Sequence, residues 1–315
     1  MSYLLTFAIV TYNKSHVLHE NLIRLIPIAE KYPMEILVCD NSSPDETQDI
    51  CKQYCSKYNF FSYYRQESNV GYDRNVITAF RLAKAPYVWL HGESRSIDEN
   101  NFSDLWKLIQ NNVYDSISFH DDTRYDLQPI EISDLSNLIE VMGFRYSLLG
   151  SFIIKNPCND EQLYSKYIGN MFVHIPFLFE SLLQRENSRN IIVYNRYFKT
   201  IETGVIRKQF WKAHSFETFS KCWFYTILSL PNTISLDSKL ICLKGLPKGH
   251  IFSAKNILKK HAMGLISKDD YRKGRDYLQF TSYTSPFTID LILLIPRKIL
   301  GITYNICHRL YKLAK

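Results

Sequence analysis

The chain lacks several features that mark large classes of protein. Its 315 residues contain no apolar run of about 18 or more, the length that a membrane-spanning helix needs. They contain neither the GxGxxG dinucleotide fingerprint nor the GxxxxGK[ST] P-loop. Internal repeats and low-complexity tracts are also absent from the sequence. A helical membrane channel, a P-loop nucleotidase and a repeat protein are therefore not expected.

Cysteine is present, but never in the arrangement that a zinc site or a disulfide framework needs. The seven cysteines are an odd number and form no CxxC pair. Cys51 and Cys55 would share one face of a helix, but no histidine stands near them to complete a metal site. The first ten residues lack the basic start and the cleavage site of a secretory signal. We therefore expect reduced thiols and a cytoplasmic protein.

The positive charge is confined to the last third of the chain. Residues 205–315 hold 19 Lys and Arg against 6 Asp and Glu, a net charge of +13; the whole chain has 38 against 31, so residues 1–204 keep 19 against 25, or −6. Such a basic segment favours polyanions, either nucleic acid or anionic lipid. Its lysines and arginines are scattered among predicted helices without a recognition motif, so we expect no nucleic acid as a partner.

Segments with the apolar spacing of strands and of helices alternate through the first part of the chain. Strand-like runs end in turn residues, and helical spacing occurs between them. This alternation predicts an α/β fold with a mainly parallel sheet and ligands at the carboxyl ends of its strands. The predicted strands are 4–13, 34–43, 60–66, 88–90, 114–126, 146–156 and 189–202, and the predicted helices are 16–32, 44–58, 73–84, 101–111 and 171–187.

A change of pattern near residue 205 predicts two domains. The alternation of strands and helices fills residues 1–205, whereas residues 206–315 form a basic, mainly helical region. Within it, residues 286–315 combine apolar stretches with five basic residues and a single acid, Asp290, which is the composition of a helix lying in a membrane interface. Pro296 would bend this helix. The alternative is a final helix that docks on the core and turns a basic face to solvent.

Polar residues stand directly after each of the first four predicted strands. If the sheet is parallel, the carboxyl ends of these strands share one edge, and the four groups of residues meet there. The groups are Thr11, Tyr12 and Asn13 after the first strand, Asp40 and Asn41 after the second, Asn69 to Arg74 after the third, and Glu93 to Arg95 after the fourth.

These groups lie in four segments whose order and spacing resemble the family 2 glycosyltransferases. The segments are "FAIVTYNK" (7–14), "EILVCDNSSPDET" (35–47), "NVGYDRNV" (69–76) and "YVWLHGESR" (87–95). The resemblance covers residues 3–100 and, more loosely, 101–205. It implies a GT-A fold, which is a Rossmann-like, mainly parallel sheet flanked by helices, and the transfer of a sugar from a nucleotide donor.

The resemblance also implies which residues bind the donor. Asp40 would accept a hydrogen bond from the imide N–H of uracil or thymine, so a UDP-sugar is favoured and a dTDP-sugar is the second choice. The base and ribose would be lined by Thr11, Tyr12, Asn13 and Asn41. Arg74 would flank the base or the diphosphate. A plainer alternative, a turn cap or a surface side chain, stays open for each of them.

Residues 93–95 depart from the family pattern. Related enzymes often have three acids here, a DXD-type motif whose last acid helps to hold Mn²⁺ or Mg²⁺ between the donor phosphates, whereas this chain has Glu93, Ser94 and Arg95. Arg95 cannot ligate a metal, but its guanidinium offers fixed donors and a permanent charge to a diphosphate. Three alternatives stay open: transfer with weak or no metal dependence, a metal held by Glu93 with phosphate and water, and loss of activity.

An inverting transfer also needs a general base for the acceptor hydroxyl. In the family an acid at a helix start does this. The corresponding segment here, "YIGNMFVHIPFLFESLL" (167–183), has no Glu-Asp pair that could supply it. The role would fall to His174, whose ordinary pKa suits a base near neutrality, or to Glu180. Asp121 and Asp122 are further candidates unless they form a solvated turn.

The expected function is that of a glycosyltransferase in bacterial surface polysaccharide biosynthesis, of capsule or O-antigen type. Its acceptor would be a saccharide, expected on a lipid carrier, and its C-terminal segment would hold it peripherally on the inner face of the membrane. The alternative is a catalytically degenerate relative that binds a nucleotide sugar or organises partner enzymes, as the missing acids at 93–95 suggest.

Overall fold

The computed structural model describes residues 3–120, 127–158, 160–194, 197–201, 214–244, 251–297 and 299–300. The chain divides into two compact units, residues 1–205 and 206–315. The functions predicted for these two parts, nucleotide-sugar transfer and membrane association, stay predictions.

Ten strands occur among the described residues of the first unit. They are β1 (Leu5–Thr11), β2 (Met34–Asp40), β3 (Phe61–Arg65), β4 (Tyr87–Gly92), β5 (Arg95–Ile97), β6 (Ser116–Phe119), β7 (Ile130–Ile132), β8 (Phe152–Lys155), β9 (Asn190–Val193) and β10 (Phe198–Thr200). Eight of them form one sheet in the order β3-β2-β1-β4-β8-β6-β9-β7, and β5 pairs with β10 in a separate ribbon. Four of the seven pairings in the large sheet are parallel. The predicted α/β class with a mainly parallel sheet is confirmed.

Seven α-helices accompany these strands. They are α1 (Ser15–Lys31), α2 (Thr47–Lys57), α3 (Tyr72–Leu82), α4 (Glu99–Asn111), α5 (Leu135–Met142), α6 (Glu161–Ser165) and α7 (His174–Leu183). The first three connect the parallel strands β1 to β4, because a parallel pair needs a long crossover and a helix supplies it. The apolar face predicted for α1 is buried, including Leu18, Leu22 and Leu25.

The strands at the centre of the sheet are buried along their whole length. Every residue of β1 and of β2 is buried, which explains why most of their residues are apolar. Phe7 on β1 meets the edge of Trp89 on β4 at 5.5 Å between ring centres. These packed strands therefore fix the positions of the residues that follow their carboxyl ends.

Several predicted elements differ from the structure outside this centre. The predicted strand 146–156 is shorter, because a 3₁₀ turn occupies Gly143–Ser147 and only β8 is extended. Gly150 lies between them with a φ of +85°, and a side chain there would strike the ring of His91. The predicted strand 189–202 is two strands, β9 and β10. The elements β5, β7, α5 and α6 have no counterpart in the prediction.

The second unit consists of helices and their connections in its described residues. A π-helical segment, Glu217–Cys222, runs into Trp223–Leu228, followed by Leu236–Lys244, Ala254–Ala262, Lys268–Gly274, a 3₁₀ turn at Arg275–Tyr277, Leu278–Thr281 and Pro286–Leu294. A small apolar core joins several of these elements; its residues are Phe216, Phe252, Ile257, Ile266, Leu278, Ile289 and Ile292. Within the described ranges, each helix is too short or too polar to cross a membrane.

Candidate active site

The strand register brings the ends of β1, β2 and β4 to one edge of the sheet. Thr11 lies opposite Asp40 in the β1–β2 pair, and Val10 lies opposite Gly92 in the β1–β4 pair, so Glu93 follows beside Thr11. Thr11 is buried, and its Oγ1 has no hydrogen-bond partner among the described residues. An unpaired buried hydroxyl is costly, so a polar ligand at this edge would stabilise it.

Tyr12 and Asn13 continue from this edge towards solvent. Tyr12 is exposed. Asn13 adopts a φ of +52°, a left-handed conformation that asparagine tolerates better than most residues. Its backbone N–H donates to Oγ of Ser43 at 2.9 Å, which joins the ends of β1 and β2. The turn after β1 is thus held in place with an aromatic side chain open to a ligand.

Asp40 is buried and is surrounded by donors from the protein itself. Its carboxylate accepts hydrogen bonds from the Ser43 backbone N–H at 2.8 Å, the Ser43 hydroxyl at 2.5 Å, the Tyr63 hydroxyl at 2.8 Å and Nη1 of Arg65 at 2.9 Å. Burial, and then the contact with Asp40, raise the pKa of Tyr63, so its hydroxyl stays a donor. A carboxylate has about four acceptor positions. A base N–H would therefore have to displace one of these donors, and the donor-binding role of Asp40 stays a prediction.

Asn41 holds the loop that leads into α3. Its Nδ2 donates to Oδ1 of Asn69 at 2.9 Å, and its Oδ1 accepts from the backbone N–H of Val70 at 2.9 Å. At the start of α3, the buried carboxylate of Asp73 accepts from the backbone N–H groups of Gly169 at 2.8 Å and Met171 at 3.1 Å. Burial raises the pKa of Asp73. The third segment is therefore fixed to β2 on one side and to the approach of α7 on the other.

Arg74 is exposed on α3 and lines a small cavity. The cavity has a volume of about 180 Å³ and is also lined by Gln66, Val70, Ile77, Thr78 and Arg81. Two guanidinium groups along one face of a helix give this cavity a positive character that suits an anionic group. The predicted contact of Arg74, with the base or with the diphosphate, stays a prediction.

The turn at 93–95 is held by its backbone and carries side chains of both charges. Nδ2 of the buried Asn21 on α1 donates to the carbonyl oxygens of Glu93 at 3.0 Å and Arg95 at 2.8 Å. The Glu93 carboxylate pairs with the ammonium of Lys14, and the Arg95 guanidinium donates to the carbonyl of Leu149 at 3.2 Å. The turn is thus positioned by α1, with one paired acid and one arginine.

These residues do not fit a divalent metal site of the DXD type. Mn²⁺ and Mg²⁺ need several oxygen ligands, and a site for either usually offers more than one carboxylate. Here the turn offers one, Glu93, whose charge Lys14 already balances at 2.5 Å, and Arg95 adds a repelling charge. A metal at Glu93 would have to displace the Lys14 ammonium.

A second group of possible metal ligands lies in the helical unit. One ligand atom each from His214, Glu217 and Asp270 lies within 4.8 Å of the others. Both carboxylate oxygens of Asp270, however, accept backbone N–H groups, from Phe216 at 3.0 Å and Glu217 at 2.8 Å. These are the first amides of a helix, whose positive end disfavours a cation. The group is accounted for as a helix cap.

His174 is a poor candidate for the general base. It begins α7, where it is buried, and its Nε2 lies 2.9 Å from the carbonyl of Tyr146, to which it donates. Burial lowers the pKa of His174 to about 4. An imidazole that resists protonation near neutrality and faces the core cannot readily take a proton from an acceptor hydroxyl. The structure therefore places His174 in the core of the first unit, bonded to the backbone of Tyr146.

The stability of the protein should fall on acidification, and His174 should account for part of the fall. Its pKa is about 4 in the folded chain against an ordinary 6.5. The unfolded chain takes up the proton first, so the stability due to neutral His174 is complete above about pH 6.5 and is lost as the pH falls towards about 4. At about 1.4 kcal/mol per pKa unit, the loss due to His174 at pH 5 is about 2 kcal/mol. Urea unfolding at pH 7 and pH 5 measures it, and His174→Gln should reduce the difference; an unreduced difference would assign the effect to other groups.

Glu180 lies two turns further along α7. Its Oε1 accepts from the Tyr167 hydroxyl at 2.5 Å and lies 3.0 Å from Nζ of Lys166. Glu180 is itself buried, but unlike His174 it offers a carboxylate, so it is retained as the predicted base. Asp121 and Asp122 lie outside the described residues.

The structure adds four residues, in three roles, that the sequence pattern did not single out. Lys14 neutralises Glu93, Asn21 holds the turn, and Tyr63 with Arg65 completes the environment of Asp40. Only Lys14 had a visible signal, since it ends the segment "FAIVTYNK". The others are placed by strand register and helix packing, which a single sequence does not display.

Comparison with known proteins identifies the family. The model of glycosyl transferase family 2 matches residues 6–166, which are 161 of the 315 residues. This chain belongs to glycosyl transferase family 2. The resemblance predicted from the four segments is confirmed.

The individual relatives share little sequence identity with this chain. The abequosyltransferase RfbV of Salmonella typhimurium is 27% identical over an alignment of 197 positions. The alignment covers 55% of this chain and 59% of the relative, so the match spans less than two thirds of the relative's length. Among solved structures, residues 1–349 of S. aureus TarS in complex with UDP-GlcNAc match with a TM-score of 0.54 and 17% identity, over 93% of this chain and 84% of that one. The same TarS fragment with UDP matches with a TM-score of 0.51, over 96% and 86%. These structural matches show that the fold is shared.

Proposed function

We propose that this protein is a glycosyltransferase that moves a sugar from a nucleotide-sugar donor to a saccharide acceptor. The observation that carries the proposal is the meeting of Thr11, Asp40 and Glu93 at one edge of the sheet, in a chain that belongs to family 2. A UDP-sugar is the favoured donor, since TarS has been solved with UDP-GlcNAc and with UDP. A dTDP-sugar is the second choice.

The proposed step is a displacement at the anomeric carbon of the donor sugar. The acceptor hydroxyl oxygen forms a bond to this carbon on the face opposite the diphosphate, and the hydroxyl proton passes to a base, for which Glu180 is the candidate. The bond between the anomeric carbon and the β-phosphate oxygen breaks, and its electron pair stays on the diphosphate. The sugar configuration inverts, and Arg95 supplies positive charge to the leaving group.

Donor binding and donor turnover test the proposal separately. A panel of nucleotide sugars is screened by thermal shift, because a bound donor stabilises the folded chain by mass action. Hydrolysis of the donor that binds is then followed with and without a chelator. Stabilisation with slow hydrolysis would support a transferase. Stabilisation without any turnover, with acceptor extracts present, would favour the non-catalytic relative, and no stabilisation by any donor would contradict both.

We further propose that the acceptor is a lipid-linked saccharide of capsule or O-antigen type at the inner face of the membrane. The similarity to an abequosyltransferase supports the transfer of a sugar. The last described helix supports a membrane surface: Phe287, Leu291 and Leu294 form one stripe and are 68%, 49% and 77% exposed, while Ile289 and Ile292 face the core. An exposed apolar stripe of this kind suits the lipid interface.

A neighbouring helix carries basic side chains that favour anionic lipid. The helix Ala254–Ala262 packs against Pro286–Leu294 and carries the exposed Lys255 and Lys259. The only acid of the last helix, Asp290, is paired with Arg275 at 2.6 Å and so does not oppose an anionic surface. The remaining part of the predicted interfacial segment, 301–315, lies outside the described residues.

Removing the apolar stripe should release the protein from anionic vesicles. In the variant Phe287→Ser, Leu291→Ser, Leu294→Ser, we expect at least about a tenfold loss of binding to phosphatidylglycerol vesicles, since each large apolar side chain contributes over 1 kcal/mol when buried. Co-sedimentation measures it. The matched control Leu236→Ser, Ile241→Ser changes equally exposed residues on another helix and should bind as the wild type does. Equal binding by both variants would contradict the proposed surface.

A further inference from the structure

Lys14 places a second positive charge at the donor edge of the sheet. Its Nζ lies 2.5 Å from Oε1 of Glu93, and the Lys14 side chain is 46% exposed whereas that of Glu93 is 8% exposed. A carboxylate this buried is unfavourable without a counter-ion, and the ammonium supplies it. The ammonium itself keeps much of its surface open to solvent, at the edge where the four segments meet.

The backbone on both sides of Lys14 is anchored, so the position of its side chain is defined. Asn13 donates its N–H to Ser43, and the N–H of Ser15 donates to Oδ2 of Asp45 at 2.8 Å. After β4, the carbonyl of Glu93 is held by a hydrogen bond from the side chain of Asn21 on α1. Both members of the ion pair therefore stand on fixed backbone, and the ammonium is held at the edge before any ligand arrives.

The charges at this edge suit a diphosphate without a metal. Lys14 and Arg95 contribute two positive charges and Glu93 one negative charge, a net charge of +1, whereas three acids at 93–95 would need a dication to bring a diphosphate close. An ammonium has three N–H donors, so Lys14 can hold Glu93 and still donate to phosphate oxygens. The ammonium that a metal at Glu93 would have to displace is thus itself a donor to the diphosphate.

We infer that Lys14 is a diphosphate-binding residue and that its ammonium, together with Arg95, takes the electrostatic role that the divalent cation has in sites with three acids. Glu93 then acts as the counter-ion that positions Lys14. The inference rests on the proposed function, because it requires a nucleoside diphosphate as the ligand. It goes beyond that function in two ways: it assigns diphosphate binding to Lys14, a residue of the first segment, and it makes this binding independent of a metal.

Calorimetric titration with matched nucleotides tests the inference. UDP and UMP, or the diphosphate and monophosphate of whichever base gives thermal stabilisation, are titrated into the wild type and into Lys14→Met in the presence of EDTA. We expect the wild type to prefer the diphosphate. Lys14→Met should weaken diphosphate binding by about tenfold or more, the scale for a hydrogen bond from a charged group, and leave monophosphate binding unchanged.

Two further variants separate a specific contact from a general effect. Lys31→Met removes an exposed lysine from the last turn of α1, the helix that begins directly after Lys14, and should leave both affinities unchanged. Lys14→Arg keeps the charge with a different donor geometry and should recover part of the diphosphate preference. An unchanged monophosphate affinity of Lys14→Met would show that the site of this variant is still folded.

The possible results are distinct. Equal diphosphate affinity in wild type and Lys14→Met would overturn the inference, as would an equal loss for both nucleotides, which is the result of a structural role. A diphosphate preference that EDTA removes and Mn²⁺ restores would overturn it as well and return the phosphate to a metal. If the wild type bound no nucleoside phosphate at all, the proposed function would fail, and the inference with it.

Discussion

Arg95→Ala is expected to lower kcat for donor turnover by roughly 10²–10³, the scale for removing one group that stabilises developing negative charge. The wild-type reaction is expected to continue in a chelator. The reason lies in the turn at 93–95, where the acid is paired with Lys14 and the arginine stands at the edge of the sheet. As the bond to the β-phosphate oxygen breaks, the guanidinium meets the charge that collects on the diphosphate.

The control variants for Arg95 separate chemistry from packing. Arg95→Lys keeps the charge but loses the planar pair of donors, so it should recover only part of kcat. Arg189→Ala removes an exposed arginine that pairs with Glu131 at 3.3 Å, and it should leave kcat unchanged. If a chelator abolished turnover while Arg95→Ala preserved it, Glu93 would hold a metal and Arg95 would be a surface residue of an ordinary turn.

Asp40→Ala is expected to destabilise the protein by about 3–5 kcal/mol, because several hydrogen-bond donors lose their acceptor at about 1–3 kcal/mol for each buried one. The carboxylate is buried and accepts four hydrogen bonds, two from Ser43, one from Tyr63 and one from Arg65. Its removal leaves these donors without an acceptor, and the guanidinium without a counter-ion. Urea unfolding at neutral pH measures the change in the free energy of unfolding.

A surface ion pair gives the matched comparison for Asp40. Asp104 pairs with Lys107 at 2.8 Å with both side chains exposed, so Asp104→Ala should change stability by less than about 1 kcal/mol. A comparably small effect of Asp40→Ala would show that its four contacts do not hold the fold. The nucleotide affinity of Asp40→Asn, which keeps the shape of the side chain, then tests the separate prediction of a contact with the base.

The central edge of the sheet could be predicted because it depends on short-range pattern. β1 and β2 read as apolar runs that end in polar residues, and parallel strands joined by a helix bring such ends together. Thr11 and Asp40 therefore lie opposite each other as expected. By contrast, β5 and β7 have three residues each, too few for periodicity to indicate a strand.

The side-chain contacts of the site could not be predicted, because they join distant parts of the chain. Lys14 and Glu93 are 79 residues apart in sequence, and Asn21 and Glu93 are 72 apart. Whether they meet depends on the register between β1 and β4. His174 was also misleading from sequence alone. Its ordinary pKa and its place in the segment 167–183 suggested a base, but its ring is buried and bonded to the carbonyl of Tyr146.

Asn21 has a consequence for how this site can change. It donates to the carbonyl oxygens of Glu93 and Arg95, atoms that every amino acid possesses, and so this backbone anchor does not depend on the side chains at 93–95. We therefore expect the anchor to persist when the charges at 93–95 are exchanged. An engineer who replaced Arg95 with an acid and Lys14 with a neutral residue would inherit the same scaffold, and could convert the means of holding phosphate while leaving the architecture as it stands.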